Sequence, residues 1–188
     1  MNADKLVVGL VGMPGSGKSL VVDAAQQEGY AVVVMGDVIR EETQKRGLEL
    51  NPTNIGNVML GLRKTGGNSV IAKKCISKIV QQESSKVIVD GLRSLDEADT
   101  FKAHFAKFRL MAVHASPETR FNRLYRRGRS DHPDGWELFH NRDARELSVG
   151  LGNAIAMAEY LILNEKNRDR IRAMVREALR RVEGKWMK

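Results

Sequence analysis

A three-layer α/β sandwich on a mostly parallel five-stranded sheet is the fold class this sequence predicts, and three observations predict it. Short apolar runs alternate with helical patterns, as in chains that cross over between parallel strands. Several of these runs are almost continuously hydrophobic, which suits strands covered on both faces. A glycine-rich turn, GMPGSGKS at residues 12–19, separates the first apolar run from the first helical pattern.

Five strands are expected: Leu6–Val11, Ala31–Met35, Lys86–Asp90, Leu110–Ala115 and Glu159–Leu163. Helices are expected after the first four, over Gly17–Glu28, Val38–Lys45, Leu95–Phe105 and Pro117–Arg127. Ser116 before Pro117 reads as an N-cap followed by a helix-opening proline. A last helix spans roughly residues 167–183, where Ile171, Met174, Val175, Ala178, Leu179 and Val182 form one apolar stripe. Two segments break the alternation. Residues 50–83 look helical, with Ile71, Cys75, Ile76, Ile79 and Val80 on one side, and residues 128–158 open with the turn-prone GRSDHPDG. Both leave the carboxyl edge of a parallel sheet, where open α/β folds bind ligands.

Composition bounds the function. The chain has 188 residues, 42% hydrophobic and 29% charged, which fits one globular domain and excludes a disordered tail. No apolar run is long enough to span a bilayer, so no membrane role is expected. The single cysteine, Cys75, rules out an internal disulfide and suits a reducing, cytoplasmic compartment. The formal net charge is +8, and two segments account for it: residues 120–145 carry +3 and residues 165–188 carry +5.

The turn at 12–19 satisfies G-x-x-x-x-G-K-[ST] in the strand–turn–helix context that gives the motif meaning. Gly12, Gly15 and Gly17, with Pro14 and Ser16 between them, let the backbone curl its N–H groups inward, and the helix N-terminus adds positive potential. Lys18 would reach the β- and γ-phosphates of a nucleotide, and the Ser19 hydroxyl would ligate Mg²⁺. The fold class is therefore that of a P-loop NTPase. A guanine-reading N-K-x-D is missing, since the nearest string is NEKN at 164–167, and the chain is too short for a large motor ATPase. A small, Mg²⁺-using kinase remains.

After the second strand comes MGDVIREE (residues 35–42), and after the third VIVDGLRS (residues 87–94). Arg40 and Arg93, just beyond adjacent strand ends, can grip a phosphate bidentately and aim it at the γ-phosphate. Alone, each reads equally well as a surface arginine paired with Glu41, Glu42 or Asp96. With VGMPGSGKS at 11–19, MGDVIREE, DGLRS at 90–94 and RDAREL at 142–147, the chain resembles the adenylate-kinase branch of the nucleoside monophosphate kinases. It is especially similar to an archaeal family of adenylate-kinase-related proteins. The likeness runs from Leu6 to about Glu165.

That resemblance implies ATP-dependent transfer of the γ-phosphoryl group to a nucleoside monophosphate. It implies that Gly36, Asp37 and Arg40 form the G-D-x-x-R that holds the acceptor phosphate, with Gly91 and Arg93 completing the acceptor side. It also implies that Asp90 supports Mg²⁺ through water. DGLRS departs from the D-G-F-P-R of adenylate kinases, which has one residue more and a proline. The resemblance further implies a single kinase domain over residues 1–188, with an acceptor-binding insertion at about 38–83 and a lid at about 128–141.

Arg123 and Arg127 share a helix face, Arg129 follows in the polar loop, and Arg142 and Arg145 return beyond it. This resembles a kinase lid, in which arginines neutralise the transferring group on closure. Lys18, Arg123, Arg127, Arg129 and Arg142 are the catalytic candidates. Arg120 and Arg126 read as solvated, and His132 and His140 as polar loop groups.

Two other functions stay open. Dephospho-coenzyme A kinase phosphorylates a hydroxyl using an Asp near the end of the second strand, where Asp37 stands. AEYLILNE at 158–165 resembles a late A-D-x-x-x-x-N region of that enzyme. Arg168, Arg172, Arg176 and Arg180 form a basic ridge on the last helix. It reads either as a solvated face or as a nucleic-acid contact of a nucleotide-switched, RNA-linked ATPase. The 5% aromatic content, with Trp186 alone near the ridge, offers no stacking platform for single strands.

Overall fold

The computed structural model describes residues 4–127 and 135–185. Five strands form one all-parallel sheet in the order β2-β3-β1-β4-β5: β1 (Leu6–Val11), β2 (Ala31–Val34), β3 (Lys86–Asp90), β4 (Lys107–His114) and β5 (Tyr160–Leu163). β1 lies at the centre, and all six of its residues are buried. Its alternation divides the molecule into two cores. Val7 and Val11 face one, and Leu6, Val8 and Leu10 face the other. That two-sided burial is why the strand reads as an unbroken apolar run.

The smaller core is closed by α1 (Lys18–Gln27) and α9 (Arg168–Gly184), through Val21, Ala24 and Ala25 on one and Ile171, Val175, Leu179 and Val182 on the other. The larger core is covered by α2 (Met35–Lys45), α3 (Pro52–Gly66), α4 (Val70–Val80), α5 (Leu95–His104) and α8 (Leu151–Ala156). The expected helical segment at 50–83 is thus the pair α3 and α4. Asn51 caps α3 by accepting from Asn54 N–H at 2.9 Å. α6 (Pro117–Arg127) keeps its expected bounds, with Ser116 Oγ accepting from Thr119 N–H at 3.3 Å. α7 (Trp136–Ser148) follows residues 128–134, which lie outside the described residues together with Arg129 and His132.

Three expectations are corrected. α2 starts at Met35, not Val38, so Gly36 and Asp37 belong to its first turn. β4 starts at Lys107, three residues earlier than its apolar run suggests. His140 sits within α7 and stacks on Trp136, with centroids 5.6 Å apart, and is no loop residue. Among the described residues no helix is long and apolar enough to cross a membrane.

Candidate active site

The phosphate loop runs from the end of β1 into α1, and its neighbours hold its carbonyl groups. Lys18 Nζ donates to Gly12 O at 2.7 Å. Arg120 Nη1 donates to Pro14 O at 3.2 Å. Ser16 O accepts from Asn164 Nδ2 at 2.8 Å and from Arg123 Nη1 at 3.3 Å. With these carbonyls tied to side chains, and the Ser16 N–H bonded to Met13 O at 3.0 Å, the loop's other N–H groups are suited to an anion. Gly15 and Gly17 have φ of +81° and +93°; a Cβ on Gly15 would lie 2.7 Å from Arg120 O, and one on Gly17 2.1 Å from Asn164 Nδ2. The loop is moulded against α6 and the end of β5, and only glycine fits those positions.

Arg120 overturns its sequence reading. It is 4% exposed, not solvated. Its guanidinium forms a fork with Asp143 of α7, Nη1 to Oδ1 at 2.8 Å and Nη2 to Oδ2 at 2.5 Å. Nε donates to Ala115 O at 3.2 Å, and the guanidinium lies 4.8 Å from the centre of the Phe139 ring. A charge so enclosed needs a carboxylate and carbonyls to satisfy it, and it has them. Phe121 of α6 stacks on Trp136 of α7 with centroids 4.4 Å apart, so polar and aromatic contacts join the two helices. Arg126 is exposed, as expected.

A cavity of about 200 Å³ opens at the carboxyl edge of the sheet. It collects Gly12, Pro14, Gly15 and Lys18 from the loop, Asp90, Gly91 and Arg93 from the end of β3 and just beyond it, Arg127 from α6, and Arg142 and Glu146 from α7. Burial lowers the pKa of Lys18, while Asp90 and Glu146 raise it and Arg93 and Arg142 lower it further. Burial raises the Asp90 carboxyl above its ordinary range, while Lys18 and the Gly91 N–H pull it back. Asp90 Oδ1 is buried and has no hydrogen-bond partner among the described residues.

Other expected site residues lie apart from this cavity. Arg123 is engaged with the loop and with Asn164 O at 2.9 Å. Asp37 and Arg40 pair with each other on the exposed first turns of α2, not with Glu41, Glu42 or Asp96. Ser19 is exposed at the start of α1. Arg93, within the cavity, pairs with Glu146 Oε1 at 3.3 Å.

Glu97, Asp143, Glu146 and Asn164 escaped the sequence reading as site residues. Glu97 is 1% exposed, accepts from Arg93 N–H at 2.8 Å, and is reached by Arg63 Nη2 at 3.2 Å. Ser94 Oγ accepts from Glu97 N–H at 3.3 Å, so SLDE at 94–97 is an S-x-x-E capping pattern, the signal that was available. It sets the backbone that carries Arg93.

The fold and the loop define a P-loop NTPase domain. A family model described as an AAA domain matches residues 11–139. The chain is 44% identical over 182 residues to a UPF0200 protein of Hyperthermus butylicus, covering 97% of each chain. It is 47% identical over 164 residues to one of Methanocaldococcus jannaschii, covering 86% of this chain and 83% of that one. The chain belongs to the UPF0200 family, and its residues 11–139 form an AAA domain. Among solved structures it is similar to shikimate kinase from Acinetobacter baumannii, with TM-score 0.66 and 16% identity over 99% of this chain and 97% of that one. A gluconokinase from Sinorhizobium meliloti gives TM-score 0.59 and 15% identity over 98% and 97%. These two likenesses concern the fold.

Proposed function

We propose that this protein transfers the γ-phosphoryl group of ATP to a nucleoside monophosphate, with Mg²⁺. One observation carries the reading: Lys18, Asp90, Arg93, Arg127 and Arg142 line a single cavity beside the phosphate loop. Phosphoryl transfer asks the protein mainly to position two phosphates and neutralise charge between them. Loop N–H groups and Lys18, released from Gly12 O, take the β- and γ-phosphates. Arg127 and Arg142 approach from the lid arms, Arg93 from beyond β3. Arg123 works on the loop that binds phosphate, and Arg129 completes the proposed lid set. On the acceptor side Gly36, Asp37, Arg40 and Gly91, together with Arg93, would hold the acceptor phosphate.

Asp90 and Ser19 fit a magnesium ion. The orphaned Asp90 Oδ1 suits an ion-bound water, and Ser19 is exposed at the start of α1. No group of three or more His, Cys, Asp or Glu that could hold a metal occurs among the described residues, which suits an ion that draws most of its ligands from phosphate and water. When bound, magnesium screens the charge between the β- and γ-phosphates.

A second reading has support of its own. Asp37 stands, half exposed, beyond the end of β2, and shikimate and gluconate, named for the two fold neighbours, are hydroxyl acceptors. Asp37 as a general base would serve such an acceptor, dephospho-coenzyme A included, whereas a monophosphate needs no base. A coupled ADP-release assay across AMP, CMP, UMP, GMP, dTMP, dephospho-coenzyme A, shikimate and gluconate decides between them. Turnover on a monophosphate is expected; turnover only on hydroxyl acceptors overturns the first reading.

A further inference from the structure

Two carboxylates line the anion-binding cavity among the described residues, and the proposed chemistry uses only one. Asp90 suits the metal. Glu146 has no such task, and a carboxylate beside transferring phosphates works against their binding. Its place is nonetheless well defined. It projects from α7 one turn after Asp143, its side chain is 14% exposed, and it meets Arg93 Nη1 at 3.3 Å. It also lies close enough to Lys18 to raise that amine's pKa.

α7 therefore makes two unlike ionic contacts three residues apart on one face. Asp143 is enclosed and gripped by two hydrogen bonds from Arg120, a contact costly to break. The Arg93–Glu146 pair comes no nearer than 3.3 Å and its arginine side chain is 44% exposed, so it opens at little cost. The first is a brace and the second is exchangeable. What exchanges with a carboxylate on an arginine is another oxyanion of similar geometry.

We infer that Glu146 occupies the seat of the acceptor's anionic group on Arg93, and that the acceptor, bearing a phosphate or carboxylate, displaces it. The inference rests on the phosphotransferase reading above and names the acceptor class for it. Displacement turns Glu146 away from Arg93 while Asp143 stays fixed, so acceptor binding and rearrangement of the lid arm are one event. Glu146 also sets a threshold: only a group that binds Arg93 better than the internal carboxylate enters.

The test uses the full chain saturated with magnesium and the non-hydrolysable analogue AMPPNP, titrated calorimetrically with inorganic phosphate and, separately, with acetate. E146Q is expected to bind at least one of these anions at least fivefold more tightly than wild type, and R93A/E146Q to lose the gain. E146A, which removes the same charge, is expected to reproduce it. A gain with phosphate assigns a monophosphate acceptor; a gain with acetate alone assigns a carboxylate-bearing one. Equal affinities in wild type and the Glu146 variants, or a gain that persists without Arg93, overturn the inference while leaving nucleotide binding intact. Failure of AMPPNP to bind any variant overturns the phosphotransferase reading itself, and this inference with it.

Discussion

Arg120 of α6 and Asp143 of α7 form a buried two-bond fork, and the same guanidinium reaches Pro14 O in the phosphate loop. One side chain thus joins the loop to both α6 and α7. Arg142, the residue before Asp143, lines the cavity, so the brace also sets where a cavity arginine begins.

Removing one partner leaves the other charge buried. D143A is expected to destabilise the fold by about 3–5 kcal/mol, read from urea unfolding. R120M/D143L replaces both partners with apolar groups and is expected to recover most of that loss. It leaves Pro14 O without its donor, so its nucleotide affinity should stay below wild type in calorimetry even where its stability does not.

Gly17 tests how closely the loop is moulded. Its φ of +93° disfavours a side chain, and a Cβ would meet Asn164 Nδ2 at 2.1 Å. G17A is expected to push Asn164 off Ser16 O and weaken nucleotide binding at least tenfold. N164A, which vacates the space, should restore part of the affinity in G17A/N164A.

Asp90 carries a pH signature. Its carboxyl is raised by burial, so between its unfolded and folded pKa values the folded state holds more protons. Stability should therefore fall as pH rises through that window. Above it, without magnesium, D90N is expected to melt at a higher temperature than wild type, and the gap should close on acidification below the ordinary carboxylate range. The same substitution should weaken the magnesium dependence of nucleotide binding.

Cys75 is buried in the larger core, and burial pushes its thiol up to about 12. Thiolate is the reactive form, so alkylation by iodoacetamide in the native state should be slower than in urea by at least a hundredfold. Its residual rate then reports opening of the core around α4.

On the phosphotransferase reading, R127A and R142A are each expected to lower kcat at least tenfold with a smaller change in KM for ATP, because their charge is needed most as transfer proceeds. R126A, next to Arg127 on α6 but outside the cavity lining, should change neither by more than twofold.

The larger features of this protein were legible in the chain because they depend on local order. An unbroken apolar run followed by G-x-x-x-x-G-K-S identified β1, the loop and α1. Period and capping identified α6 to the residue and α9 to within one residue at either end. Boundaries failed where tertiary pairing overrode the local pattern. Alternating charges at Lys107 and Arg109 hid the start of β4, which pairs with β1 regardless.

What the sequence by itself determined is the sheet, its phosphate loop and the concentration of arginines around it. Which arginine does what was decided only by tertiary structure. Arg120, Arg123 and Arg127 look alike at helical spacing, yet the first is sealed under the loop, the second ties the loop to the end of β5, and the third lines the cavity. The physical reason is that a guanidinium's role depends on which oxygens lie within about 3 Å of its donors. Those oxygens, on Pro14, Ser16, Asp143 and Asn164, come from segments that only folding brings together.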